Sequence, residues 1–385
     1  MGPELSQYEN REQAWVKHWL LTKYLEELFF KVGRHWKRIV YIDAFAGPWG
    51  TSTTDFSDTS FGRAVDVMRR CQLKLASQEK HVQFEAHFFE RDKKRAEQLI
   101  AYAEGVSSSV VVVKAYHADF TQQIDALASR LTDKDFAFVL VDPLGYKAVT
   151  APGLLAPLLK KRGVELMVNL MFDHINRFLT AKDQIANMQE IFGPDYEAAL
   201  SIMPGPRESQ IRRLYCQRLR EQAKKSRIWS TAFPVEYPDR DRTYYYLVYA
   251  THDPTGLLTF GKIAEKAGHE QAKTKSSVAV RKRDEAVGIQ DMFGTQNTVV
   301  DERFIDEYAI RNAWLGRLPV AGDEIVVNKT LMAEMLEECM CLESDVQQVL
   351  AQLIKQGILR NVSCTTKRPK KPVHPENDER IRREL

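Results

Sequence analysis

The sequence predicts an α/β fold: a doubly wound, mostly parallel Rossmann-like sheet with a terminal β-hairpin, followed by a small winged-helix-like domain. Three observations predict the large part. The apolar runs RIVYID, VQFEAHFFE, SSVVVVKAY, FAFVLVD and VELMVNLMF alternate with stretches of helical spacing. Several of these runs are apolar almost throughout, as strands are when both sheet faces are covered. Two further β-rich runs, IWSTAFPVEY and RTYYYLVYAT, flank the turn PDRD and read as a hairpin.

In chain order, residues 11–32 are apolar at helical spacing (Ala14, Trp15, His18, Trp19, Tyr24, Leu25, Leu28), and Gly33 is placed to cap that helix. RIVYID then runs into a glycine turn and the polar loop TSTTDFSDTS. Helices are expected from about Phe61 to Ala76, over RDKKRAEQLIAYAEG, over TQQIDALASRL, near 151–160, at 174–192 and at 207–225. Residues 1–266 form the large domain on this reading, and 267–300 are polar and read as a linker. A small domain spans 301–365, with helices at 303–314, over NKTLMAEMLEECM and from Ser344, a good N-cap. Helix, helix, short strand and basic loop are the pattern of a winged helix, which serves either DNA reading through its second helix or protein contact. Residues 366–385 read as a basic tail.

Composition narrows the class. With 385 residues, 44% of them hydrophobic, the chain is long enough for one large and one small core. No apolar run reaches membrane-spanning length. The five cysteines contain no CxxC pair, so no metal site is expected, and their spacing fits reduced thiols in a cytoplasmic protein. A net charge of +3 leaves nucleic-acid affinity to local basic patches.

Ligands of such sheets bind outside the carboxyl ends of the strands. The first strand ends in Asp43 and the turn Phe45-Ala46-Gly47, and the second in Glu90. Asp119 follows the third, Asp142 and Pro143 end the fourth, and Asn169 and Asp173 lie at the end of the fifth. An acid after the second strand suits a ribose diol, and one after the third an adenine amine. Acids beside the first turn favour a cationic ligand and repel a pyrophosphate. The GxGxxG dinucleotide fingerprint is absent. The expected cofactor is therefore S-adenosylmethionine, held by Asp43, Phe45, Gly47, Glu90 and Asp119. Each acid taken singly has a plainer role as a turn or helix cap.

The stretches YIDAFAGPWG, FFERD, FVLVDPLGYK, VNLMFDHINRFL and TYYYLVYATHDPTGL together resemble the three-Cys-motif partner proteins, over roughly residues 10–265. That resemblance implies a methyltransferase-like domain and a radical-chemistry protein carrying three cysteines as partner. YIDAFAG and DPLGY are more distantly similar to the FxGxG and DPP[YF] motifs of amino-directed nucleic-acid methyltransferases. Trp49 stands where their turn has glycine, and DPLGY has leucine for the second proline. The similarity implies transfer to an exocyclic amine, most naturally of adenine. Asp142, Pro143 and Tyr146 would be the catalytic group, with Tyr146 stacking on a base turned out of its helix. The alternative is a non-catalytic partner that keeps the fold as a scaffold.

Candidate nucleic-acid contacts are Arg177, in the helix that opens with Asp173, His174 and Asn176, and the cations Lys367, Arg368, Lys370 and Lys371. The plainer reading of that last run is a solubilising end.

Overall fold

The computed structural model describes residues 5–48, 51, 53, 55–143, 148–223, 225–287, 305–364, 366, 368 and 370–385. The chain divides into two compact units, Met1–His252 with Lys266–Val300 and Asp253–Glu265 with Asp301–Leu385. Among the described residues no helix is long and apolar enough to cross a membrane.

In the first unit the elements run α1 (Glu12–Val32), β1 (Arg38–Asp43), α2 (Ser60–Ala76), β2 (Gln83–Glu90), α3 (Lys93–Val106), β3 (Val111–His117), α4 (Ile124–Arg130) and β4 (Asp135–Val141). They continue through α5 (Pro152–Leu159), β5 (Val164–Leu170), α6 (Phe172–Phe178), α7 (Ile185–Phe192), α8 (Tyr196–Ile202), α9 (Arg207–Arg220), β6 (Trp229–Glu236) and β7 (Thr243–Thr251); α10 (Pro254–Val287) follows, its residues to Glu265 belonging to the second unit and the rest to the first. The seven strands form one sheet in the order β3-β2-β1-β4-β5-β7-β6. Strands β1 to β5 are parallel, and β7 is antiparallel to both β5 and β6. The expected hairpin thus completes the main sheet.

This order has a functional consequence. The chain builds outward from β1 to β3, then crosses back to β4 on the other side of β1. Right-handed crossovers then place α2 and α3 on one face and α4 and α5 on the other. Accordingly α2 packs on α1, while α5 packs on α4, α7 and α9. The reversal makes β1 and β4 neighbours, and in sheets of this order ligands bind beyond the carboxyl ends of such strands.

The sheet core is aromatic, with Tyr41 stacked on Phe138 at a centroid distance of 6.1 Å. Glu165 is buried, and it accepts hydrogen bonds from the Tyr24 hydroxyl at 2.6 Å and the Thr251 hydroxyl at 3.1 Å. Those bonds offset its desolvation.

Several expectations are corrected. The helix expected at 174–192 is broken into α6 and α7. The Tyr196 hydroxyl donates to the Leu179 carbonyl at 3.1 Å and Arg207 donates to the Asn176 carbonyl at 3.1 Å, so side chains satisfy carbonyls at the break. Helix α8 was not anticipated. Gly33 does cap α1, but in right-handed conformation (φ −63°). Its small size matters for a different reason: a Cβ there would meet Leu75 Cδ1 at 2.4 Å and the Phe29 carbonyl oxygen at 2.8 Å. The stretch read as a linker from 267 is helical through Val287 as part of α10.

The second unit contains α11 (Glu307–Arg317), β8 (Glu324–Val327), α12 (Lys329–Cys339), α13 (Glu343–Lys355), β9 (Leu359–Asn361) and β10 (Glu379–Arg383). Its three strands pair antiparallel in the order β8-β10-β9. The segment read as a tail therefore supplies the central strand, with Ile381 fully buried. Alternation explains this: Glu379 and Ile381 face inward, whereas Arg380 and Arg382 face out, and a short basic strand of that kind reads as polar sequence. Ser344 is not the cap of α13. The helix starts at Glu343, and the Asp345 carboxylate accepts from the Leu342 N–H at 2.8 Å.

One glycine tests the packing under the polar loop. A Cβ at Gly62 would lie 2.1 Å from the Phe56 carbonyl oxygen, a backbone atom that cannot turn away. Gly62→Ala should destabilise the protein by about 1–3 kcal/mol in urea unfolding. Gly105→Ala, where nothing lies within 4 Å, should be neutral or stabilising by up to about 1 kcal/mol. Equal effects of the two substitutions would contradict this packing.

Candidate functional site

The site is built where β1, β2, β3, β4 and β5 end. The turn after β1 is pinned on both sides: the Ala44 N–H donates to Leu140 of β4 at 2.9 Å, and the Ala46 N–H donates to Phe89 of β2 at 2.9 Å. Gly47 follows in the same turn and is partly exposed. Phe45 meets Phe120 at 6.3 Å, and Phe120 meets Phe89 at 5.7 Å. Since Glu90 follows Phe89 and Asp119 precedes Phe120, this aromatic trio brings three of the five expected cofactor residues, Phe45, Glu90 and Asp119, to one place.

The acids differ in what they do. Asp43 is fully buried and accepts from the Ser60 hydroxyl at 2.7 Å, the Phe45 N–H at 3.2 Å and the Tyr41 hydroxyl at 3.3 Å. Burial, reinforced by the nearby Asp142 charge, raises its pKa from 3.8 to about 6, against the lowering effect of those hydrogen bonds. Glu90 is buried, and its Oε1 accepts from the Asp92 N–H at 2.7 Å. Among the described residues its Oε2 has no hydrogen-bond partner. Asp119 behaves as the plainer reading expects. Its Oδ1 accepts from the Thr121 N–H and hydroxyl, capping a 3-10 turn, and Arg91 lies 4.0 Å away.

Asp142, at the end of β4, is engaged on both oxygens. Lys17 Nζ donates to Oδ2 at 2.5 Å and Asn169 Nδ2 donates to Oδ1 at 2.7 Å. The two charged side chains are 16% and 15% exposed, so the pair is only weakly screened by solvent. Pro143 beside it is buried. The side-chain oxygen of Asn169, a residue 4% exposed, has no hydrogen-bond partner among the described residues. Trp49 and Tyr146 lie outside the described residues, as does Lys367.

Lys17 was missed by sequence reasoning. Its signal was present: in AWVKHWLL it interrupts an apolar stretch between buried Val16 and Leu20. Its neighbour His18 bonds the Tyr8 hydroxyl at 2.9 Å, and Arg63 donates to that hydroxyl at 2.8 Å. Burial, with the Lys17 and Arg63 charges, holds His18 well below the ordinary histidine range, so it stays neutral at pH 7. The polar loop is organised by Asp58, which accepts from Thr51, Thr53 and Arg11.

Asp173, expected as a possible cap of α6, is a buried hub. It accepts from the Tyr237 hydroxyl at 3.0 Å, from Arg177 at 3.4 Å and from Arg242. His174 packs on Phe178 at 5.6 Å.

In the second unit the expected nucleic-acid features are occupied. Gln347 of α13 exchanges hydrogen bonds with the backbone of Val373, at 2.8 and 3.2 Å. Gln348 and Gln352 donate to Glu307 of α11. Arg368 pairs with Glu379 at 2.8 Å, and Lys371 lies 3.3 Å from Glu376 and 3.5 Å from Glu343, while Lys370 is exposed.

No protein-family model and no curated protein matches this chain. Among solved structures it is similar to protein LPL1258 from Legionella pneumophila str. Philadelphia 1, of family DUF519, at 14% identity and a TM-score of 0.34. The match covers 62% of this chain and 84% of that one. A likeness at that level decides neither fold nor activity.

The Asp43 environment makes a stability prediction. Its folded-state pKa lies above the ordinary 3.8, so the unfolded chain releases its proton first as pH rises. The native state thus loses stability between about pH 4 and pH 6 through this group, on the order of 3 kcal/mol, and stays on that plateau above it. Asp43→Asn should therefore gain on the wild type between pH 4 and pH 7 in urea unfolding. A stability difference constant across that range would remove the assignment.

Proposed function

We propose that this chain is an S-adenosylmethionine-dependent methyltransferase acting on nucleic acid, at an exocyclic amine and most naturally that of adenine. The observation that carries the reading is the convergence of acids at the switch point, with Asp43 and Glu90 around the Gly47 turn and Asp142 on the adjacent strand. The sheet order, with a single antiparallel strand supplied by the hairpin, supports the methyltransferase form of the fold implied by the sequence motifs. In the second unit, the order helix, strand, helix, helix, strand, strand supports a winged helix.

The residues present fit that cofactor. Glu90 offers an acceptor oxygen to a ribose hydroxyl, and the partly exposed Phe45, backed by the buried Phe120 and Phe89, offers an aromatic edge to adenine. The buried Asp43 carboxyl gains its charge most readily beside a cation. When bound, S-adenosylmethionine supplies a methyl group on a sulfonium. The protein's part is to hold an amine in line and to accept its hydrogens. Asp142 Oδ2 becomes that acceptor when Lys17 gives way, and the unpartnered Asn169 oxygen lies on the next strand. Orientation then supplies much of the rate.

A second reading has one observation in its favour: both oxygens of Asp142 are already bonded. On that reading the chain is a non-catalytic scaffold for a radical-chemistry partner or for nucleic acid.

Calorimetry with S-adenosylmethionine tests the cofactor. Glu90→Ala should weaken binding at least about tenfold, since a charge-assisted hydrogen bond contributes on the order of 1.5–3 kcal/mol. Unchanged affinity in the folded variant removes Glu90 from the pocket. Wild-type affinity should also rise with pH between about 5 and 7 as Asp43 ionises beside the cation.

Labelled cofactor incubated with mixed DNA and RNA tests the chemistry. Asp142→Ala should abolish transfer while leaving cofactor affinity within a few-fold. A variant as active as the wild type would exclude Asp142 from the mechanism. Cofactor binding without any transfer by the wild type would favour the scaffold.

A further inference from the structure

The β6–β7 hairpin carries residues that the proposed transfer does not use. Because β7 runs antiparallel to β5, with Tyr246 opposite Leu170, the turn at 237–242 lies at the same sheet edge as the strand-end acids. A series of tilted ring contacts runs inward from it. The Arg240 guanidinium covers the Tyr237 ring at 4.2 Å. Tyr237 packs on Tyr244 at 4.6 Å, and Tyr244 packs on Tyr245 at 5.3 Å. Lys17 lies 6.0 Å over the Tyr245 ring and bonds Asp142. The series therefore leads from solvent to the candidate catalytic acid.

The cations beside the rings are held in place. Asp173, 4% exposed, bonds Tyr237, Arg177 and Arg242, whose arginine side chains are 59% and 47% exposed. A buried carboxylate thus fixes two guanidinium groups that keep further N–H donors toward water. The neighbouring acids have cationic partners of their own. Asp239 lies 2.8 Å from Lys282 and 3.4 Å from Arg240, and Asp241 lies 2.5 Å from Lys275.

Tyrosine rings interleaved with fixed arginines are the chemistry of single-stranded nucleic-acid binding, in which bases stack and phosphates pair with guanidinium groups. A duplex keeps its bases stacked on one another and cannot use the rings. We propose that the 237–242 turn is a platform for single-stranded nucleic acid. An unpaired base takes the Tyr237 face that Arg240 covers. Arg240 turns to the phosphate of that nucleotide, and Arg177 and Arg242 meet the adjoining backbone. This rests on the nucleic-acid reading above and names the strand form that the site accepts.

The test is fluorescence anisotropy with labelled single-stranded RNA and DNA of about 12 nucleotides and a duplex of the same sequence, without cofactor. At least one single strand should bind about fivefold or more tightly than the duplex. Tyr237→Ala should weaken that binding by about fivefold or more, whereas Tyr237→Phe, which keeps the ring, should stay within about twofold. The Arg177→Gln, Arg240→Gln double variant should flatten the log–log salt dependence by about 1.4, from roughly 0.7 per phosphate contact on a single strand. This variant leaves the rings and the Asp173–Arg242 pair in place, so it carries the test if Tyr237→Ala does not fold. Equal binding of duplex, wild-type affinity in folded Tyr237→Ala, an unchanged salt dependence, or no single-strand binding by the wild type would each overturn the platform. Calorimetry with S-adenosylmethionine on the same proteins separates the two readings. Cofactor binding with unmoved oligonucleotide affinity overturns the platform alone. Tyr237-dependent oligonucleotide binding by a chain that does not bind the cofactor keeps the platform and removes methyl transfer.

Discussion

The ion pair between Lys17 and Asp142 is the constraint on which the mouth of the sheet depends. The reversal of strand order places Asp43 and Asp142 at the ends of neighbouring strands. Two carboxylates in so dry a place cannot both stay ionised without a cation. Lys17, delivered by α1, neutralises the one on β4, and the one on β1 is left with hydrogen bonds and a raised pKa. The N-terminal helix is thereby part of the site as well as a cover for the sheet. Its next residue, His18, ties it through Tyr8 to Arg63 of α2 and to the Asp58 carbonyl in the loop that follows the glycine turn.

The same logic of buried acids holding exposed cations recurs at the other end of the mouth. Asp173 fixes Arg177 and Arg242 and, through Tyr237, the hairpin turn. A carboxylate that accepts from three side chains has met its own desolvation cost, and its partners are ordered before any ligand arrives. That division separates the buried acids at the ends of β1 and β2 from the arginines held by Asp173 beside β5 to β7.

The small unit follows a different pattern. Arg368 and Lys371 are paired with its own acids, and α13 is engaged by α11 and by the loop before β10. Cations already neutralised in this way release fewer counterions on meeting a phosphate than free ones do.

What the sequence determined by itself was the alternation of strands and helices, and with it the parallel sheet and the positions of Asp43, Glu90, Asp119, Asp142 and Asn169 at strand ends. Periodicity and burial are local properties of a chain, so they are legible in order along it. The hairpin was legible for the same reason, through the turn PDRD between two β-rich runs. The tertiary structure alone decided which acids are paired. Lys17 and Asp142 lie 125 residues apart, and Arg242 and Asp173 lie 69 apart. No local pattern encodes such partners, because their proximity depends on strand order. The same holds for β10: its burial depends on β8 and β9 flanking it, and a basic alternating segment acquires an inner face only when those neighbours are in place.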